Sequence, residues 1–126
     1  MGARCRRSPW FAGLSFNATN YNPNHYSGAY GGPTISTSFP VTNVFVHKYD
    51  GANVSGHIGG GAGSSAAVGN VGSVSGTAQM GLGASAYFNG NIPELIAYAS
   101  ALSKADLNTL GANLASYYGT SWTTIP

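Results

Sequence analysis

The chain has 126 residues and 12.8 kDa, which leaves room for one domain and one core. Only 6% of residues are charged, against an average near ~25%, while Gly contributes 19 residues and Tyr 8. Its surface must therefore be built from Ser, Thr, Asn, Gly and Tyr hydroxyls, as in antiparallel β-sandwiches. The formal charge of +2 is concentrated at the start, because Arg4, Arg6 and Arg7 supply three of the five positive residues. From residue 8 onward Lys48 and Lys104 face Asp50, Glu94 and Asp106, giving 2 − 3 = −1. That balance provides no basic face for nucleic acid.

Residues 1–14 read as a basic N-terminal arm, with Arg4, Arg6, Arg7 and Trp10 as its anchoring residues. The arginines suit an acidic partner or serve as a solvated start to the chain. Cys5 has no second cysteine to bridge to, so an intramolecular disulfide is excluded. The apolar stretch after the arginines is too short and interrupted for a secretory signal. No run approaches the ~20 apolar residues of a membrane-spanning helix. A soluble product that leaves its cell by lysis or assembly is expected.

A single domain is expected over residues 15–126. Its opening stretch, 15–34, reads as loops flanking short strands. Tyr21, Asn24, His25, Tyr26 and Tyr30 make up the composition a shallow sugar site uses, with flat aromatic faces for a pyranose and polar groups for its hydroxyls. Such loops serve protein contacts equally well, and packing of the loops on themselves fits the same residues.

From Val41 the β signal is clear, with Val44, Val46 and Lys48 alternating with Phe45, His47 and Tyr49, and Asp50-Gly51 reads as a two-residue hairpin turn leading into a second strand over 52–58. His47 and His57 lie on these two strands, where they are placed to approach one another. The tract 59–65 reads as a flexible tip, and 66–74 and 77–82 as further β segments. Short strands at this spacing point to an antiparallel sandwich. The glycine repeats follow no βαβ unit, so they carry no phosphate-loop signal.

A turn at Asn89-Gly90 then precedes Ile92, Leu95, Ile96 and Tyr98, an apolar run read as the closing strand. Ser103 and Asp106 form a capping box. Leu107, Leu110, Leu114 and Tyr117 share a helical face, and Gly119 supplies a terminating residue, so a helix is expected over 104–118. Gly111 implies close packing against a backbone or dependence on tertiary support.

Residues 87–119 carry an ordered motif: an aromatic-Asn-Gly turn at Phe88-Asn89-Gly90, then Ile92-x-Glu94-Leu95-Ile96-x-Tyr98, Ala101-Leu102-Ser103, the amphipathic helix and Tyr118-Gly119. In these residues the chain resembles the concanavalin A-like lectin/glucanase superfamily, specifically laminin-G-like domains of bacterial surface and bacteriophage virion proteins. A looser resemblance runs back through Tyr49–Val54 to Phe11. Pro93 departs from the pattern inside the closing strand, and Gly59-Gly60 stands where relatives carry Asn-Gly. The resemblance implies an all-β fold, an antiparallel β-sandwich of jelly-roll type closed by one C-terminal amphipathic helix. Relatives of roughly 150 to 200 residues hold more strands, so either a slimmed sandwich or completion by a neighbouring subunit is implied.

Some relatives are glucanases, which need two carboxylates across the scissile bond. Of the three acids here, Asp106 caps the helix and Asp50 the hairpin. The resemblance gives Glu94 a structural place, bonding backbone groups where strand meets helix. Calcium needs about 6 to 8 oxygen ligands and finds few carboxylates, and the three histidines lack zinc spacing. No cofactor, metal or catalytic residue is assigned. The expected function is a non-enzymatic structural module on a larger particle, such as a bacteriophage capsid decoration or tail-associated protein. Its partners would be other virion or surface proteins and further copies of the chain. A carbohydrate-binding module for cell-surface glycans is the alternative, and a glycoside hydrolase ranks last.

Overall fold

A computed structural model describes residues 11–16, 19–26, 30–39, 41–69 and 90–126. Strands arranged in two antiparallel sheets, with one helix near the C-terminus, make a small β-rich fold. The first sheet contains β1 (Phe11–Phe16), β2 (Asn20–Tyr26), β3 (Tyr30–Gly31) and β4 (Ile35–Ser36). The second contains β5 (Phe45–Tyr49), β6 (Asn53–Ile58) and β7 (Ser64–Ala67), in that order. Helix α1 runs Lys104–Tyr118.

The first sheet corrects one expectation. Its strand β1 starts at Phe11, so residues 11–14 belong to a sheet and not to an arm. Arg4, Arg6, Arg7 and Trp10 lie outside the described residues. Within 15–34, read as loops flanking short strands, the chain forms the seven-residue strand β2, which pairs with β1.

On its other side β2 pairs with β3 and β4 in one continuous register, Tyr26↔Tyr30 and His25↔Gly31, then Tyr21↔Ile35 and Asn20↔Ser36. Extending that register across the gap sets Pro23 opposite Pro33, both buried. A proline has no N–H to give to a ladder, so the pairing breaks where two of them meet. Prolines thus divide one strand partner into β3 and β4.

In the second sheet the β5–β6 register, Phe45↔Ile58 to Tyr49↔Val54, continues to Asp50 opposite Asn53, where the Asp50 N–H donates to the Asn53 carbonyl at 3.2 Å. The two-residue tip is therefore Gly51-Ala52, one position later than expected. Gly51 has φ of 100°, the left-handed region a tight hairpin requires at its first central position. The Asp50 carboxylate explains the shift: Oδ1 accepts from the Asn53 N–H at 2.7 Å and the Ala52 N–H at 3.0 Å. These N–H bonds hold the exposed carboxyl below the usual range, that of Asn53 contributing most.

The two sheets meet at Tyr21 and Gly56. Tyr21 is fully buried, packs edge-on against Phe45 with centroids 5.2 Å apart, and donates its hydroxyl to the Val46 carbonyl at 2.8 Å. A side chain at Gly56 would meet Pro23 Cγ at 2.6 Å, Ile35 Cδ1 at 3.0 Å and Tyr21 Cε1 at 3.1 Å. Absence of a Cβ on β6 thus lets the side chains of the first sheet rest on the backbone of the second. Val54, also fully buried, lies on the same face of β6 as Gly56 by strand alternation.

Helix α1 has the expected bounds and caps. Ser103 Oγ accepts from the Asp106 N–H at 3.1 Å and donates to Asp106 Oδ2 at 2.6 Å. Gly119 adopts φ 67°, ψ 30°, and the N–H groups of Gly119 and Thr120 both reach the Ala115 carbonyl. Its buried stripe is Leu107, Gly111 and Ala115, with Leu110 and Leu114 half-buried beside it. Tyr117, expected on the buried face, is 82% exposed.

The expected closing strand does not form. Residues 91–98 carry no strand, and Ile92, Leu95, Ile96 and Tyr98 are 40% to 60% exposed. A pleated segment needs a neighbouring edge to satisfy its N–H and C=O groups, and among the described residues none pairs with this one. The expected β segments beyond Gly69 lie outside the described residues.

Candidate functional site

Two neighbouring features concentrate unusual chemistry: a glycine cradle that holds the C-terminal segment, and an exposed apolar stretch before the helix.

The cradle is built by the chain as it leaves β6. Gly59, Gly60 and Gly61 have φ of 61°, 79° and 71°, a run that side-chain-bearing residues rarely adopt. This backbone turns its polar groups toward residues 121–125. Thr123 donates its N–H to the Gly59 carbonyl at 2.7 Å and accepts the Gly61 N–H at 2.8 Å, forming a parallel bridge with Gly60. A Cβ on Gly60 would occupy the position of the Thr123 carbonyl. The tract expected to be a flexible tip is a receptor for a strand-like tail.

His57 supports the cradle from below. It is 6% exposed, and its Nδ1 lies 3.0 Å from the Gly61 carbonyl, an arrangement that requires the proton on Nδ1. In the β5–β6 register His57 faces Val46 and His47 faces Gly56. With side chains alternating between faces, the two histidines point to opposite sides of the sheet and do not meet as expected.

On its other side the tail is held by α1. Asn108 Oδ1 accepts from the Ile125 N–H at 2.8 Å and the Trp122 Nε1–H at 3.2 Å, while its Nδ2 donates to the Ile125 carbonyl at 3.2 Å. One amide therefore satisfies both backbone groups of Ile125, which is 8% exposed. The indole of Trp122 rests where a Cβ on Gly111 would stand. Gly111 accordingly packs against a side chain rather than against a backbone.

The second feature is residues 91–98 together with the end of α1. Glu94 Oε2 accepts the Tyr118 hydroxyl at 3.0 Å, and this bond raises the Tyr118 phenol above its ordinary range. Glu94 is the structural acceptor expected, though its donor is a side chain on the helix and not a backbone N–H. Tyr117 stacks edge-on to Tyr118 with centroids 4.9 Å apart. Around this anchor Ile92, Leu95, Ile96, Tyr98 and Tyr117 present their apolar surface to solvent.

Of the expected sugar or partner contacts, Tyr21 is removed by the structure: it is a core residue joining the sheets, its hydroxyl already engaged. Burial raises this phenol above its usual range. Asn24, His25 and Tyr26 lie on β2 and Tyr30 on β3, where backbone pairing brings Tyr26 opposite Tyr30. Among the described residues no group of three His, Cys, Asp or Glu side chains comes together as a metal site would, and no helix is long and apolar enough to cross a membrane. The carboxylates of Asp50, Glu94 and Asp106 each bind a donor of the fold.

Sequence reasoning missed the cradle. A run of glycines separated from Trp122 by some sixty positions offers no periodic signal. The one available cue was the pairing of a mid-helix glycine with a late tryptophan. In comparisons with known proteins the chain matches no family model, no curated protein and no solved structure.

Proposed function

We propose that the protein is a non-enzymatic structural module that works by contact with neighbouring proteins on the surface of a larger assembly. The observation that carries this reading is the exposed apolar stretch Ile92, Leu95, Ile96 and Tyr98 with Tyr117 beside it. Large apolar side chains left exposed within one short segment support an interaction site there. Glu94 fixes the segment to the helix end, and among the described residues no strand pairs with it. The chain's three carboxylates are engaged in the turn, the cap and this anchor, which favours a structural over a hydrolytic role.

The finer reading is a lectin-like sandwich of concanavalin A type on a bacteriophage virion, as a capsid decoration or tail-associated protein. Its support is the motif of residues 87–119 and the packing of two antiparallel sheets at Tyr21 and Gly56. Hydrogen exchange tests the proposal. Amides of residues 92–98 should exchange rapidly in the dispersed chain and slow at least tenfold in its assembled form. Equal exchange in both forms would remove this stretch from the interface.

A further inference from the structure

The tip of the β5–β6 hairpin sets an unengaged backbone amide next to a carboxylate. Of the four N–H groups at residues 50–53, three are taken. That of Asp50 goes to the Asn53 carbonyl at 3.2 Å, and those of Asn53 and Ala52 go to Asp50 Oδ1 at 2.7 Å and 3.0 Å. Among the described residues the Gly51 N–H donates to no acceptor, although the Gly51 carbonyl takes the Tyr49 hydroxyl at 2.8 Å. Gly51 is exposed, and a Cβ built on it would meet nothing within 4 Å. The nitrogen that follows the Asp50 carboxyl therefore has neither a bond to hold it back nor a side chain or neighbour to crowd it. Asp106 offers the contrast, because the next amide, that of buried Leu107, is bound to the Ser103 carbonyl at 3.0 Å.

We infer that Asp50 is a self-modification site, at which the chain converts aspartate to isoaspartate, and that the carboxylate cap on Ala52 and Asn53 restrains the conversion. The Gly51 nitrogen bonds to Asp50 Cγ and gives up its proton, the carboxyl loses its hydroxyl as water, and a five-membered succinimide closes. Water then adds to either ring carbonyl. Opening at the Asp50 backbone carbonyl leaves the main chain running through Cγ, one methylene longer, with the α-carboxylate as its side group. No reagent other than water takes part. The fold opposes the first step in two ways. Oδ1 is held by the two N–H groups and Oδ2 lies 3.3 Å from Asn53 Nδ2, which fixes the carboxyl over residues 52 and 53 rather than over the Gly51 nitrogen. The Asn53 and Ala52 N–H groups also keep the carboxyl ionised, and a carboxylate has no hydroxyl to lose as water. Conversion thus proceeds from the opened tip, and its rate follows local opening of the hairpin end. The product has a lengthened backbone at the turn, so the Ala52 and Asn53 N–H groups lose their shared acceptor. The inference uses residues separate from the 92–98 surface and stands whether or not that surface meets a neighbour.

Ageing of the full-length chain tests both parts. Wild type is incubated at neutral pH, folded in buffer and unfolded in urea, and isoaspartate is located by electron-transfer fragmentation of its peptides, with Asp106 as internal reference. In the folded chain isoaspartate should gather at residue 50 and not at residue 106. In urea it should form at residue 50 at least about tenfold faster, because the cap is gone. Asn53→Ala removes the Nδ2 contact and retains the main-chain N–H, so its folded form should convert at a rate between those two while keeping the helical circular-dichroism signal. Isoaspartate no more abundant at residue 50 than at residue 106 would overturn the site. Equal rates in the folded and unfolded wild type would overturn the restraint, and a folded variant no faster than wild type would take the Asn53 side chain out of it.

Discussion

The indole of Trp122 occupies the space that a side chain on Gly111 would fill, so a helix glycine and a tail tryptophan define each other's position. Through this contact α1 and the C-terminal tail form one unit, and through Thr123 that unit reaches the second sheet.

Gly111→Ala should change sign with its background. Alanine favours a helix interior by about 1 kcal/mol over glycine, but here its methyl displaces Trp122, an overpacking cost of about 1–3 kcal/mol. Net destabilisation is expected in the wild-type chain, with a red-shifted tryptophan emission. In a Trp122→Ala background the same substitution should stabilise by ~0.5–1 kcal/mol, because only the helix preference remains. Urea melts of the four chains measure the cycle.

Asn108→Asp retains an acceptor for the Trp122 and Ile125 N–H groups but replaces the donor to the Ile125 carbonyl with a second oxygen. An unpaired buried carbonyl costs about 1–3 kcal/mol. Stability should fall by that order while the circular-dichroism helix signal persists below the transition. Unchanged stability would mean the Nδ2 bond contributes nothing.

The helix shows how much could be read from residues alone. Ser103, Asp106 and Gly119 act within a few positions of themselves, so both ends of α1 were legible in the sequence. The β5–β6 hairpin was legible for the same reason, although Asp50 capping the Asn53 N–H moved its tip by one residue. What escaped depends on distant partners. Tyr21 has the same composition cues as an exposed contact residue, and only its position against Phe45 and Val46 places it in the core. Ile92–Tyr98 has an apolar pattern fit for a strand, but pairing requires an edge that the described residues do not supply. Gly59–Gly61 carries no side chain to report that a backbone approaches.

Tyr21→Phe tests the reassignment of that residue. Removing the hydroxyl deletes its bond to the Val46 carbonyl and should lower stability by about 0.5–1.5 kcal/mol. The ring and its contact with Phe45 persist, so near-ultraviolet circular dichroism should retain the native signature. A chain as stable as wild type would show that the hydroxyl bond does not join the sheets.

The Asp50 turn predicts an acid response. Because the folded carboxyl titrates below its unfolded value of ~3.9, its contribution is present above that value and is lost as pH falls through the lower folded value. Below pH ~4, exchange of the Ala52 and Asn53 amides should accelerate while that of α1 is retained. Asp50→Asn should remove the pH dependence at the tip; an identical acid response in that variant would assign it to another group.

The claim that function lies in assembly is tested most directly by solution mass, measured by light scattering after size exclusion for the wild-type chain and for Leu95→Ser with Ile96→Ser. The account predicts an oligomer, or a mass that rises with concentration, for the wild type and a single-chain mass for the double variant. A wild-type chain that remains monomeric at every concentration, indistinguishable from the variant, would contradict it.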